Sequence, residues 1–310
     1  MKLTCLVLLA CSVAGLAQQR EVAITIDDLP VAQTAPGTPE QNYQELLAIN
    51  KALLETAHKH HAPLIGFVNA HGIDQSAHPD GVMKALAGWT MDGNTLGNHT
   101  YSHADLNKLT PEQVEEEITK GQAPVHKLMQ AAGMKAEYFR HPFLHAGGTP
   151  QQEEQINGIL KRHGLKVATV TMDDDDWQFN PVYEDMLTKH DEAGAQRVRD
   201  AYLAHAKAKI TGQAEIARQV FGRDIPHTML MHADRLNMDM LDAVLTEFER
   251  QGYRFVTIEQ AQSDAAYRSP EGFLQDGGGT WTFRWAKALG KKVDWKLDVE
   301  PPEWIVKWGK

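Results

Sequence analysis

The sequence predicts an α/β protein, an irregular (β/α) barrel carrying a helical insertion and a C-terminal extension. Two observations point there. Short β-rich apolar runs alternate with long amphipathic segments through most of the chain, and those runs end on acidic, imidazole or guanidinium side chains. Alternating β and α units argue for a parallel sheet, and this many of them argue for a barrel.

Taken in order, Val22 to Ile26 reads as a strand followed by a helical pattern over Glu40 to His60. Leu64 to Val68 is followed by a second pattern over Pro79 to Trp89. Asn94 to Gly97 precedes a helix opened by Thr110-Pro111, with Gln113 at the capping-box position. Tyr138-Phe139, Lys166 to Thr171, Thr228 to Met231 and Arg254 to Thr257 supply further strands, with helices over Gln151 to His163 and Met240 to Gln251. Two stretches break this rhythm. Pro181 to Gly222 is charged and Ala-rich, and reads as two or three helices inserted between consecutive strands. Past Ala266 the composition changes again, with five of the seven Trp in the last 30 residues. Such tryptophans either pack a tail onto a domain or stack on sugar rings, and packing is the commoner use.

Residues 1–17 have one Lys, an apolar run and small residues near Ala17, the layout of a secretory signal peptide. The run is shorter than the ~20 apolar residues of a spanning helix, and Gln18-Gln19-Arg20 follows at once. Leu8-Leu9-Ala10-Cys11 also fits a lipoprotein cleavage pattern, after an apolar stretch short for one. The expected organisation is a signal peptide over 1–17, a barrel over 18–265 that includes the insertion 181–222, and an extension over 266–310.

Export has chemical consequences. Both cysteines, Cys5 and Cys11, fall inside the leader, so an exported chain has neither disulfides nor thiolate ligands, and its metal ligands are His and carboxylates. Losing Lys2 takes the formal charge from −10 to −11. Such an acidic protein is a poor partner for nucleic acid or anionic polymers. A neutral glycan suits it better, with no stable membrane insertion after cleavage and a periplasmic or extracellular location.

The chemistry is expected where the strands end. Val22 to Ile26 runs into Asp27-Asp28, Thr95 to Gly97 into Asn98-His99, Tyr138-Phe139 into Arg140, Val167 to Thr171 into Asp173 to Asp176, and Met229 to Met231 into His232. In a parallel barrel these ends share one mouth. Each group alone has an ordinary explanation: a turn for Asp27-Asp28, a surface ion pair for Arg140, a solvated loop for Asp173 to Asp176, a core histidine for His232. His99 and His103 are four apart, so a helical turn would put both imidazoles on one face as a metal pair requires, although 15 His make some such pairs fortuitous. His141 and His145 either line the cleft or sit on a solvent-facing loop. His58, His60 and His61 close a helix, where capping suffices. Five such groups at strand ends, in this order, are much harder to assign to chance.

Those groups resemble the motifs of the NodB-homology polysaccharide deacetylases, carbohydrate esterase family 4, from about Val22 to Ile258. The family's T-F-D-D-G-P motif appears as Thr25 to Pro30, H-S/T-x-x-H as His99 to His103, and R-x-P-Y/F as Arg140 to Phe143. D-x-x-D-W appears as Asp173 to Trp177, and L-x-H as Leu230 to His232. Ile26 and Leu29 depart from the first motif without touching either carboxylate. The insertion and the Trp-rich tail lie outside the pattern.

The resemblance implies a divalent metal held by Asp28, His99 and His103. Two His and one Asp suit Zn, with Co, Ni, Mn or Fe admissible. It further implies Asp27 as base with Arg140 beside it, the Phe143 backbone N–H as oxyanion donor, and His232 as acid, hydrogen-bonded by Asp176. Trp177 and Leu230 would wall the acetyl methyl group, Leu230 being equally well placed for core packing. The implied activity is N-deacetylation of a chitin- or peptidoglycan-like polymer. Its rivals are O-deacetylation of a glycan such as acetylated xylan, a small-molecule amidase with a closed pocket, and a non-catalytic glycan-binding protein on the same fold.

Overall fold

Strand β1 (Arg20–Leu29) runs through the middle of an eight-stranded, all-parallel sheet. The computed structural model describes residues 19–32, 37–274 and 279–309, so the leader assigned to residues 1–17 lies outside the described residues. On one side of β1 stand β2 (Leu64–Val68), β3 (Thr95–Asn98), β4 (Tyr138–Phe139) and β5 (Lys166–Val167). On the other stand β7 (His227–His232) and then β6 (Met172–Asp173). β8 (Tyr253–Phe255) pairs with the first residues of β1, Arg20 to Val22. The sheet curls into a barrel whose edges are β5 and β6, which share no ladder among the described residues.

Period-two alternation sorts the side chains of these strands between two cores. Ala23, Ile65, Phe67, Tyr138 and Ala168 form a cluster with Val256 and Ile258, the inward set. Ile24, Ile26, Leu64, Val68, Leu96, Met229 and Met231 form the other, packed on Leu53, Trp89, Val244 and Phe248 of the helices. Gly97 is needed inside, because a Cβ there would stand 2.4 Å from the Phe67 ring.

The helices start where their caps are. Thr38, Thr110 and Thr149 each accept a hydrogen bond from the backbone N–H three residues on, and each is followed by Pro at the first helical position. The resulting helices, Pro39–Lys59, Pro111–Ala131 and Pro150–Arg162, match the expected ones within a residue or two. His60 closes the first of them between Asp242 at 2.8 Å and Glu249 at 3.1 Å. The helix expected from Met240 begins at Arg235 instead, because Asp234 caps it by accepting from Asn237 N.

Two expectations need correction. The insertion is two helices, within the two or three expected, but the first, Asp176–Thr188, starts five residues before Pro181, which it contains, and the second is Glu192–Phe221. The single strand expected over Lys166 to Thr171 ends at Val167, and the next strand, β6, begins only at Met172. The backbone N–H of Trp281, in the C-terminal extension, donates to Val170 O at 2.7 Å. That pairing uses a carbonyl in the seam between β5 and β6. Trp281 and Trp285 are buried beside Val170 and Leu230, whereas Trp295 and Trp308 are 59% and 40% exposed.

The tail is thus a structural part of the barrel wall. Trp281→Ala should lower unfolding free energy by ~3–5 kcal/mol, and Trp308→Ala by about 1 kcal/mol or less, measured in urea. Equal losses would mean that the tail does not depend on its buried tryptophan.

Candidate active site

Because all strands run parallel, their C-terminal ends open on one mouth, and a cavity of about 540 Å³ lies there. Eight of the ten residues singled out from the sequence line it: Asp27, Asp28, His99, His103, Phe143, Trp177, Leu230 and His232. The other two, Arg140 and Asp176, are fully buried behind Asp27 and His232.

Strand β1 delivers two adjacent carboxylates to the same space. In a regular strand, neighbours point to opposite faces, so Asp27 would face inward with Thr25, and Asp28 outward. Asp28 instead has φ 62, a left-handed residue that breaks the alternation. The parallel register sets Asp27 directly opposite His232 on β7.

His99 and His103 do meet, though not on a helix. The residues after β3 form a loop in which Thr100 (φ 68) and His103 (φ 57) are left-handed, and His103 N donates to Thr100 Oγ1 at 3.0 Å. Asn98 Oδ1 holds the loop's start by accepting from Thr100 N at 2.8 Å. The two imidazoles end with centroids 4.8 Å apart. The i,i+4 spacing was informative for a reason other than the helical one.

The Asp28, His99 and His103 donor atoms all lie within 4.8 Å of one another. His99 Nδ1 is 2.8 Å from the Arg140 carbonyl, which can only accept, so the proton sits on Nδ1 and the Nε2 lone pair faces the cluster. Burial first, and then the neighbouring His99, push the His103 imidazole down to about 4, which keeps it neutral at pH 7. Burial works to raise the Asp28 carboxyl, but the two imidazoles outweigh it and hold the group below its ordinary value. Asp28 Oδ1, 3.4 Å from each Nε2, is buried without a hydrogen-bond partner. Two imidazole nitrogens and an orphaned carboxylate oxygen are a donor set that fits a divalent cation.

Two tethered pairs flank this cluster. Arg140 donates from Nη1 to both oxygens of Asp27 at 3.2 and 3.1 Å, from Nη2 to Thr25 Oγ1 at 3.0 Å, and from Nε to Ala168 O at 2.8 Å. Its guanidinium also lies over the Phe67 ring, 4.7 Å from the centroid. Across the mouth, His232 Nδ1 stands 2.6 Å from Asp176 Oδ1, and His232 N donates to Asp176 Oδ2 at 2.7 Å. Burial opposes a charge on His232, yet the Asp176 carboxylate beside it raises the imidazole well above its ordinary value. One carboxylate is therefore oriented toward the donor set from one side, and one protonated imidazole from the other.

The remaining groups divide. The Phe143 ring sits 4.5 Å from His103, and its backbone is left-handed at φ 57. Trp177 is 55% exposed at the rim. Leu230 both floors the cavity and belongs to a core cluster with Trp281, so the two readings of it coexist. His141 and His145 line the cavity, and His141 is buried, so the solvent-facing alternative fails for it. Thr25, Asp234 and Asn237 were not foreseen. Thr25 accepts from Arg140, and Asn237 Nδ2 donates to Asp176 Oδ2. Thr25 alternates in phase with Asp27, a signal that could have found it.

A parallel barrel with an Asp-His-His donor set between a tethered carboxylate and a tethered imidazole has the make-up of a hydrolase. The family model for polysaccharide deacetylase matches residues 15–168, which spans β1 to β5 and the residues from Asp27 to Arg140. The chain belongs to the polysaccharide deacetylase family. It is 24% identical over 242 residues to a peptidoglycan-N-acetylglucosamine deacetylase, PgdA, of Listeria monocytogenes. That match covers 78% of this chain but only 38% of the length of the relative. Among solved structures, the polysaccharide deacetylase Bc1974 from Bacillus cereus superposes with a TM-score of 0.51 at 20% identity, covering 77% of this chain and 92% of that one. A mutant of a Bacillus anthracis CE4 family pseudoenzyme, with restored enzymatic activity, gives 0.52 at 18% identity, covering 79% and 68%. At these identities the likeness is one of fold.

Buried neutral imidazoles make stability depend on pH. Burial holds His227 and His141 down to about 3, so the folded state excludes protons that the unfolded chain binds below about 6.5. Their contribution is fully present above pH 6.5 and is lost as pH falls toward 3, by up to about 1.4 kcal/mol per pH unit for each imidazole. His227→Gln should therefore lose less stability than the parent between pH 7 and pH 4. Comparing the two in urea cancels the carboxylates they share, and parallel pH profiles would refute the neutral assignment.

Proposed function

We propose that the protein is an exported, metal-dependent deacetylase that hydrolyses N-acetyl groups of an amino-sugar polymer of the peptidoglycan or chitin type. The observation that carries this reading is the pair of tethered groups, Asp27 on Arg140 and His232 on Asp176, facing the Asp28, His99 and His103 donors across one cavity. Glycan binding alone has no use for either group. On this reading residues 18–265 form the catalytic barrel, with the extension 266–310 sealing its seam.

A divalent ion, Zn or else Co, Ni, Mn or Fe, would be held by Asp28, His99 and His103 and would supply Lewis acidity toward the acetyl carbonyl. Asp27, oriented by two hydrogen bonds from Arg140, takes the proton from the attacking water. The Phe143 backbone N–H donates to the developing oxyanion. Leu230 and Trp177 enclose the acetyl methyl. His232, kept protonated by Asp176, delivers a proton to the departing amine, which cannot leave the tetrahedral intermediate as an anion. The peptidoglycan-N-acetylglucosamine deacetylase relative and the neutral-glycan preference of an acidic chain support the substrate class.

Acetate release from chitooligosaccharides, peptidoglycan and acetyl-xylan by metal-loaded protein tests the reading. Release from acetyl-xylan alone would make the protein an O-acetyl esterase, and no release from any would leave a fold without the chemistry.

The adjacent acids should separate in the same assay. Asp27→Asn should keep metal near one ion per chain and lose at least about 100-fold in turnover. Asp28→Asn and His103→Ala should lose bound metal, read by elemental analysis after gel filtration. Equal metal loss in Asp27→Asn and Asp28→Asn would show their roles wrongly divided.

A further inference from the structure

Four consecutive aspartates, Asp173 to Asp176, begin on the last residue of β6, and each is gripped differently. Asp176 holds His232. Asp174 accepts from Tyr202 OH at 2.7 Å. Asp175 Oδ2 stands 2.8 Å from His205 Nε2 and 2.9 Å from Lys209 Nζ. Asp173 donates its backbone N–H to Gln213 Oε1 at 2.9 Å, and its carbonyl accepts from Gln213 Nε2 at 3.2 Å. Apart from His232, the partners Tyr202, His205, Lys209 and Gln213 are spaced three, four and four apart, so they form one stripe of the inserted helix Glu192–Phe221, and all are buried.

The C-terminal extension joins the same network. Asp298 Oδ1 lies 2.7 Å from Lys209 Nζ and accepts from Gln213 Nε2 at 2.9 Å. Helix and tail touch backbone to backbone here, because a Cβ on Gly212 would stand 1.9 Å from Leu297 O.

This network has electrostatic work to do. Burial drives the carboxyls of Asp173 and Asp174 upward, Asp173 to about 7, and their aspartate neighbours add to the effect. The Asp175 backbone is left-handed, φ 59, an unfavourable state for a non-glycine residue, and the contacts of its side chain with His205 and Lys209 offset that cost. Asp176 is the next residue, and it must present both oxygens to His232. Lys209 is the cation that bridges Asp175 and Asp298.

We propose that Asp298 and Lys209 are positioning residues of the proton-donating side of the site: Asp298 holds Lys209, Lys209 pins Asp175 in its left-handed turn, and that turn sets the grip of Asp176 on His232. The inserted helix and the tail are then working parts of the site and not ornaments of the barrel. This rests on the reading of His232 as the acid.

The test uses the full metal-loaded protein and two substrates that differ in leaving group. An N-acetyl sugar needs its amine protonated, whereas an activated phenyl acetate expels a phenolate without help. Lys209→Met should lower kcat on the N-acetyl sugar by about 10- to 100-fold, with KM and activated-ester hydrolysis changed less than about threefold. Lys209→Arg should restore most of the loss, and Asp298→Asn should shift the same ratio more mildly. A readout independent of turnover is the far-downfield proton resonance expected of the short His232 Nδ1–Asp176 hydrogen bond. It is assigned by its disappearance in His232→Ala, and should move or broaden in Lys209→Met.

Equal losses on both substrates, or an unmoved resonance in folded Lys209→Met, would overturn the proposal. If that variant does not fold, Asp298→Asn decides by the same two readouts. If the parent protein releases no acetate from either substrate, the deacetylase reading fails, and the resonance still tests the positioning network.

Discussion

A strand cannot aim two successive side chains at one cavity, and the site depends on how β1 escapes that constraint. The left-handed residue at Asp28 turns the second carboxylate back to the side the first already occupies. Asp27 stays in register with Thr25 and opposite His232, while Asp28 swings toward the two imidazoles. The division between a carboxylate tied to Arg140 and one left with an orphaned oxygen follows from that single backbone reversal.

Charges this deeply buried persist only where each has a partner, and the partners come from other strands. Arg140 serves two neighbours with different atoms. Its guanidinium satisfies both oxygens of Asp27, and its carbonyl fixes the tautomer of His99. Replacing it would disturb Asp27 and His99 together. Asp176 plays the matching part opposite, accepting from the backbone and the ring of His232 and from Asn237. Asp27 and His232 are therefore held by separate hydrogen-bond systems, so each can be oriented independently of the other.

What the sequence made legible was local. A Thr-Pro step with Gln two residues further on marks a helix start, and an apolar run ending on an acid or imidazole marks a strand that faces a mouth. What it hid depends on distant residues. Lys166 to Thr171 has the composition of one strand, but pairing of Val170 with Trp281, more than a hundred residues on, interrupts it. The His99 and His103 spacing suggested a helix because left-handed backbone at Thr100 and His103 has no glycine to announce it. Pro181 looked like a helix start because its tolerated place inside the helix depends on Asp175 beginning the turn earlier. The stripe from Tyr202 to Gln213 is periodic enough to see, yet nothing in the sequence says that it faces the aspartates.

The two halves of the site differ in what supports them. The half matched by the family model, β1 to β5, carries the Asp-His-His donors, Asp27 and Arg140, and these lean on one another and on the barrel interior. The other half, with β6, β7, Asp176 and His232, lies beyond that match, next to the seam. It is also where the inserted helix and the C-terminal extension meet, through Lys209 and Asp298 beside the aspartates and through Trp281 at Val170. An open seam leaves β6 without a second neighbouring strand to stiffen it, so the loop that follows must be fixed by something outside the barrel. In this chain the insertion and the tail both contact that loop or its partners, through Lys209, Gln213 and Asp298.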